Sequence, residues 1–130
     1  MRYLDTSAAM KILVEEPESA ALKQLLNDSS LIVSSMLLHT ELHCAAHRRA
    51  EIPQQLVNAV LDAVELVSID DSQLRTAATA AWGLRSADAI HLAVALQLGA
   101  REIIAYDTEL CRAAEGAGLR PLSPGLTLPK

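Results

Sequence analysis

Apolar positions along the chain fall into short blocks that alternate between strand-like runs and helical spacing. Residues 1–4 form a brief apolar run, and Asp5-Thr6-Ser7 then supplies caps for a helix over about 8–15, stopped ahead of Pro17. This predicts strand, tight turn, helix. A second helix over about 18–27 carries Ala21, Leu22, Leu25 and Leu26 on one face, and residues 27–30 end it. Residues 31–33 read as a short strand, Ser34-Ser35 begins a long helix to about Ala50, and Pro53 opens another to about Ala63. A third strand is predicted over 66–69, followed by a helix capped by Asp70-Asp71-Ser72 and ending near Trp82-Gly83. Ser86 serves as N-cap of a helix to Leu98 that Gly99 closes. A fourth strand over 102–106 exits at Asp107-Thr108 into a helix to about Ala117, residues 120–122 form an edge strand, and 123–130 carry no core pattern. Strands alternating with helices predict an α/β fold with one mostly parallel sheet, and no internal repeat is visible.

The helix after Ser86 stands apart. From Ala87 to Leu98 every position is apolar except Asp88, His91 and Gln97, which predicts burial all round and makes Asp88 the anomaly. A carboxylate in such surroundings must neutralise, pair with a cation or bind a metal. In the first turn, unpaired backbone N–H groups and the helix dipole favour the ionised form. His91, one turn on, reads as a hydrogen-bonded core histidine rather than a base, with a supporting role behind the acids as the alternative.

Composition narrows the picture. The chain has 130 residues, 51% of them hydrophobic, which predicts one domain with one core. With two Tyr, one Trp and no Phe there is no stacking platform for bases. A net charge of −5 argues against a broad basic face for nucleic acid. No apolar run reaches the roughly 18 to 20 residues of a membrane span, and the charged start lacks a signal-peptide pattern, so no membrane association and a cytoplasmic location are expected. Cys44 and Cys111, in Ala-rich helical contexts, are expected to be buried, reduced thiols.

In parallel α/β sheets ligands gather beyond the carboxyl ends of the strands. Asp5 and Asp107 lie at strand exits, Asp88 begins a helix, and Glu41 lies within two turns of the start of the helix after the second strand. Each alone reads as a cap or a solvated residue. Four carboxylates at one sheet edge, however, repel one another and persist only if cations neutralise them. Hard oxygen ligands suit Mg²⁺ or Mn²⁺, and ion pairs roughly 3.5 to 4 Å apart serve in-line displacement at phosphorus. Setting these four aside leaves 12 of the 16 acids against 11 bases, so the remaining surface is nearly neutral.

Residues 3–8 (Tyr-Leu-Asp-Thr-Ser-Ala), 40–42 (Thr-Glu-Leu), 86–93 (Ser-Ala-Asp-Ala-Ile-His-Leu-Ala) and 106–114 (Tyr-Asp-Thr-Glu-Leu-Cys-Arg-Ala-Ala) closely resemble the acidic motifs of PIN-domain proteins. Among these the chain is most similar to the VapC-type toxins of bacterial toxin–antitoxin pairs, over a nuclease domain at 1–124 followed by a tail at 125–130. The resemblance implies a single PIN-like domain, its mostly parallel β-sheet sandwiched between α-helices. It also implies Mg²⁺ or Mn²⁺ dependence and endoribonuclease activity through an activated water. Carried over, Asp5, Glu41, Asp88 and Asp107 would hold the metal, and Thr6 would orient a ligand or a water. Cleavable RNA, a cognate antitoxin and a second copy of the chain are the implied partners, with a larger toxin–antitoxin assembly as an extension. One position departs from the pattern: many relatives carry Thr or Ser two places before the last acid, where this chain has Ala105.

Other readings are weaker. His39, His43 and His47 recur at i, i+4, but a zinc protease motif needs H-E-x-x-H, and Glu41 falls about 200° round the helix from that stripe. A receiver domain would need an acid pair after its first strand and a Lys after its last, whereas the pair here is Asp70-Asp71 and the lysines are Lys11, Lys23 and Lys130. A haloacid-dehalogenase-like phosphatase would need Asp where Ser7 stands. The alternative of another class is a catalytically weak or inactive PIN-like module that only engages a partner. Arg48, Arg49, Arg85 and Arg112 are candidates to hold phosphate near the acids. Met10, Ile12, Leu13 and Val14 could serve a partner surface.

Overall fold

The computed structural model describes residues 1–28 and 30–126. Its elements run β1 (Arg2–Leu4), α1 (Thr6–Leu13), α2 (Ser19–Leu26), β2 (Ile32–Ser35), α3 (Met36–Arg48), α4 (Gln54–Asp62), β3 (Glu65–Val67), α5 (Asp71–Thr79), α6 (Ser86–Leu98), β4 (Glu102–Ile104), α7 (Thr108–Gly116) and β5 (Arg120–Leu122). The five strands form one sheet in the order β3-β2-β1-β4-β5, and all four pairings are parallel. The chain steps outward from β1 to β2 and β3, then crosses back past β1 to β4 and β5. Crossovers of one hand running in opposite directions deposit their helices on opposite faces. The strands reverse their order between β1 and β4, the place where such sheets open a crevice for ligands.

Strand residues alternate between the two faces accordingly. Leu4, Ile32 and Ile104 meet Ala8, Ala9 and Leu13 of α1, Leu22 of α2, Leu38 and Leu42 of α3, and Val57 and Leu61 of α4. Tyr3, Val33 and Ile103 turn the other way, onto Leu92, Val94 and Ala95 of α6 and Leu110 and Ala114 of α7. Helix α5 packs against α6 rather than the sheet, so α6 lies between the sheet, which it meets at β2, and helices α5 and α7, which is why it is apolar nearly all round. Met10, Ile12 and Val14, read from the sequence as a partner surface, pack against the first core, and Leu13 is buried in it.

Several boundaries differ from expectation. Arg85, not Ser86, is the N-cap of α6, with extended backbone and no side-chain capping bond. Asp88 thus occupies the third helical position. Helix α5 ends at Thr79 rather than near Trp82, because the link to α6 reverses direction through Ala81 (φ +58°) and Gly83 (φ +74°). Its start is as predicted: Asp70 caps it, in a capping box completed by Gln73. Cys44 is exposed on the outer side of α3, where the Ala-rich context gave no hint of the helix's orientation, and Cys111 is half-buried; both are free thiols. The start of the tail lies against the fold: Tyr106 donates its hydroxyl proton to the Pro124 carbonyl, 2.6 Å away, and Gly125 approaches Ala21 and Glu18 of the α2 region. Residues 127–130 of the expected tail lie outside the described residues.

Candidate functional site

Asp5 leaves β1 at the sheet's switch point and caps α1. Its Oδ2 accepts from the Ser7 amide (3.1 Å) and the Ser7 hydroxyl (2.6 Å), while Ser7 Oγ accepts from the Tyr106 amide (3.0 Å). One hydroxyl therefore ties the exit of β1 to the exit of β4. The residue is 2% exposed, and its other oxygen, Oδ1, is buried with no hydrogen-bond partner. A buried carboxylate oxygen without a donor is costly unless something positive sits beside it.

Asp107, beyond β4, caps α7 in the same way, its Oδ1 accepting from the Leu110 amide at 2.9 Å. Glu41, half-buried on α3, receives two donors on one oxygen: the Thr6 hydroxyl at 2.7 Å and His91 Nε2 at 2.8 Å both reach Oε1. His91 is 1% exposed; its Nδ1 lies 2.7 Å from the hydroxyl of the fully buried Tyr3, and its Nε2 is 3.1 Å from Thr6 Oγ1 and 3.9 Å from Asp5 Oδ1. Asp88, half-buried in the first turn of α6, makes no side-chain hydrogen bond among the described residues. The five residues singled out from the sequence, Asp5, Thr6, Glu41, Asp88 and Asp107, thus meet in one region, as do Tyr3, Ser7 and His91.

Electrostatics report the crowding. Burial and the charges of Asp5 and Asp107, with a smaller push from Glu41, raise the Asp88 carboxyl to about 6, against a partial offset from His91. The group is still mostly ionised near pH 7, as expected of a carboxylate in a first turn, but loss of solvent and three neighbouring acids narrow the margin. Burial pushes Glu41 upward too, but the bonds from His91 and Thr6 prevail and hold it below the usual glutamate range. Burial lifts the Tyr3 phenol to about 12, so it stays protonated and can donate.

The donor set suits a hard divalent cation: carboxylate oxygens only, one of them buried and without a partner. Among the described residues, no three His, Cys, Asp or Glu side chains are drawn tightly enough together to enclose an ion as they stand. Asp5, Glu41 and Asp107 each commit one oxygen to the protein and keep the other uncommitted among the described residues.

The remaining candidates lie elsewhere or are otherwise engaged. His39 and His43 stack with ring centroids 4.5 Å apart, His43 Nδ1 is 2.6 Å from the Gln54 amide, and His47 is exposed. Arg48, Arg49, Arg85 and Arg112 are all exposed, and Arg49 pairs with Glu51 at 2.8 Å. Ala105 is buried in the second core, its carbonyl accepting from the Ser123 hydroxyl. Among the described residues no helix is long and apolar enough to cross a membrane. Ser7 had a legible signal, a hydroxyl two places after a strand-terminal acid. Tyr3 and His91 offered only a buried tyrosine and a histidine one turn after Asp88.

Known proteins resemble this chain in sequence and in fold. The chain is 34% identical to Ribonuclease VapC46 of Mycobacterium tuberculosis over 125 residues, 94% of this chain and 96% of that protein. It is 38% identical to Ribonuclease VapC35 of the same species over 135 aligned positions, 96% and 98% of the two chains. The crystal structure of M. tuberculosis VapC20, described as a sarcin-ricin loop cleaving toxin, superposes with a TM-score of 0.74 at 17% identity, over 95% of this chain and all of that one. A toxin–antitoxin complex from Klebsiella pneumoniae superposes at 0.72 and 19% identity, over 95% and 98%. The PIN domain model matches residues 2–116, a stretch that holds β1 through α7 and every acid of the site. By its sequence, its sheet order and this match, the chain belongs to the PIN domain family.

Proposed function

We propose that the chain is a Mg²⁺- or Mn²⁺-dependent endoribonuclease acting as the toxin of a toxin–antitoxin pair, with residues 1–124 as the nuclease domain. The observation that carries this reading is the meeting of four carboxylates at the β1–β4 switch point, one of them presenting a buried oxygen with no partner. Family membership and relatives named as ribonucleases support RNA as substrate. Solved relatives described as toxin–antitoxin complexes support a cognate antitoxin as partner. Homodimers, larger toxin–antitoxin assemblies and a cytoplasmic location belong to the same proposal.

Asp5, Glu41, Asp88 and Asp107 would hold the metal. When bound, a divalent ion supplies the Lewis acidity that activates a water and offsets charge on the phosphate. The chain's own part is orientation. Ser7 holds Asp5 Oδ2, so Oδ1 is the oxygen offered; the Leu110 amide does the same for Asp107. Asp88 supplies negative charge at a helix start, where it costs less than in mid-helix. Arg48, Arg85 and Arg112 have no carboxylate partner among the described residues and would counter the charge of the RNA backbone.

The test is cleavage of structured RNA by the purified chain with Mg²⁺ or Mn²⁺, with and without EDTA. Chelation should abolish cutting, products should carry 5′-phosphate and 3′-hydroxyl ends, and Asp88→Asn should lower the rate by about 100-fold or more. Metal-independent cleavage or 2′,3′-cyclic phosphate ends would overturn the reading; absence of cleavage by an inhibitor-free preparation would favour a PIN-like module that only binds.

A further inference from the structure

We propose that Tyr3 and His91 form a positioning relay for Glu41, fixing which of its two carboxylate oxygens is offered to the acidic site. The inference rests on the reading of Glu41 as a metal ligand and goes beyond it, since neither Tyr3 nor His91 is a ligand in that reading. Three observations carry it. The two donors that reach Glu41, Thr6 Oγ1 and His91 Nε2, converge on Oε1, and none of the described residues donates to Oε2. His91 is held from its far side by Tyr3, whose hydroxyl is 2.7 Å from Nδ1. Both relay residues are buried, Tyr3 at 0% and His91 at 1% exposure, so the bond between them is shielded from solvent.

The hydrogen-bond inventory sets the direction. A carboxylate only accepts, so the proton on Nε2 faces Glu41. The Tyr3 hydroxyl, 2.7 Å from Nδ1, can donate to or accept from that nitrogen, and in either case it holds the ring so that Nε2–H stays aimed at Glu41. The rings meet edge to face, centroids 5.6 Å apart and planes at 69°, so the imidazole has little freedom to turn. With Tyr3 on β1, His91 on α6 and Glu41 on α3, the relay starts on a central strand and joins a helix of one layer to a helix of the other. Tyr3 thus brings a residue of β1 itself to the site, two positions before Asp5. Partners that orient metal ligands typically change metal affinity or activity by about 10- to 100-fold when removed.

Mn²⁺ binding to the purified chain, followed by isothermal titration and by the electron paramagnetic resonance of free Mn²⁺, separates positioning from packing. Tyr3→Phe, which removes one hydroxyl and little volume, should weaken Mn²⁺ by about 3- to 10-fold, and His91→Ala by about 10- to 100-fold. His91→Gln, whose amide can donate from near the Nε2 position, should return affinity to within about threefold of wild type. Should His91→Ala fail to fold, Tyr3→Phe and His91→Gln carry the test alone. Lowered melting temperatures with unchanged Mn²⁺ affinity in Tyr3→Phe and His91→Ala would overturn the relay. Asp88→Asn is the control: if it loses Mn²⁺ while the relay variants do not, the relay fails and the metal site stands. If Asp88→Asn binds Mn²⁺ as wild type does, the metal site fails and the relay falls with it.

Discussion

Asp88 carries the strain of the site in the metal-free chain. Its carboxyl is raised from 3.8 to about 6, so folding favours the protonated form. The stability this group contributes is therefore complete below its unfolded value and is lost as the pH rises through about 6. In EDTA, the melting temperature of the wild type should fall relative to that of Asp88→Asn between about pH 4 and pH 7, and parallel profiles would refute the assignment. The acids themselves were legible in the sequence because each sits at a strand exit or in the first turns of a helix, positions that hydrophobic periodicity locates. The contacts among them were not. Tyr3 and His91 lie 88 positions apart, and periodicity marks both as buried without saying that they meet. The same holds for Ser7, whose bond to the Tyr106 amide spans 99 positions.

At the scale of elements, α6 makes the site possible and is the most exacting to build. It presents Asp88 and His91 from its first two turns and ends at Gly99, which adopts a left-handed conformation with φ +73°. A Cβ there would meet nothing within 4 Å, so any cost of substitution is conformational rather than steric crowding. Gly99→Ala should therefore destabilise the chain by about 1 kcal/mol in urea denaturation, while an unchanged midpoint would show that the terminus relaxes. The sequence made this helix, its closing glycine and its lone acid visible. It misplaced the start by one residue, since on residue type Ser86 is a far better cap than Arg85 and only backbone geometry puts Arg85 there. The end of α5 was harder still, because Ala81, an ordinary helix former, takes a left-handed conformation that nothing in its composition signals.

For the molecule as a whole, the alternation of elements indicated an α/β fold with a mostly parallel sheet, and every pairing is parallel. Strand order was out of reach, because short strands of Leu, Ile and Val are interchangeable by pattern and only their packing selects neighbours. That order places acids from both helical layers against one another, so an ion bound among them should stabilise the whole fold. Adding Mg²⁺ or Mn²⁺ should raise the melting temperature of the wild type more than that of Asp88→Asn; equal shifts would point to nonspecific binding. The position of β1 has one more consequence, which concerns time. Strand β1 pairs with β4, Arg2 lying opposite Glu102, so the sheet cannot close through its centre until β4 has been synthesised. A nascent chain of 100 residues already holds Asp5, Glu41 and Asp88, yet lacks both Asp107 and the strand that seats β1 on its second side. At synthesis rates of about 5 to 20 residues per second, translation takes about a second more to reach the last acid. On the nuclease reading, a growing polypeptide that has not yet reached Asp107 is inert towards the message that encodes it.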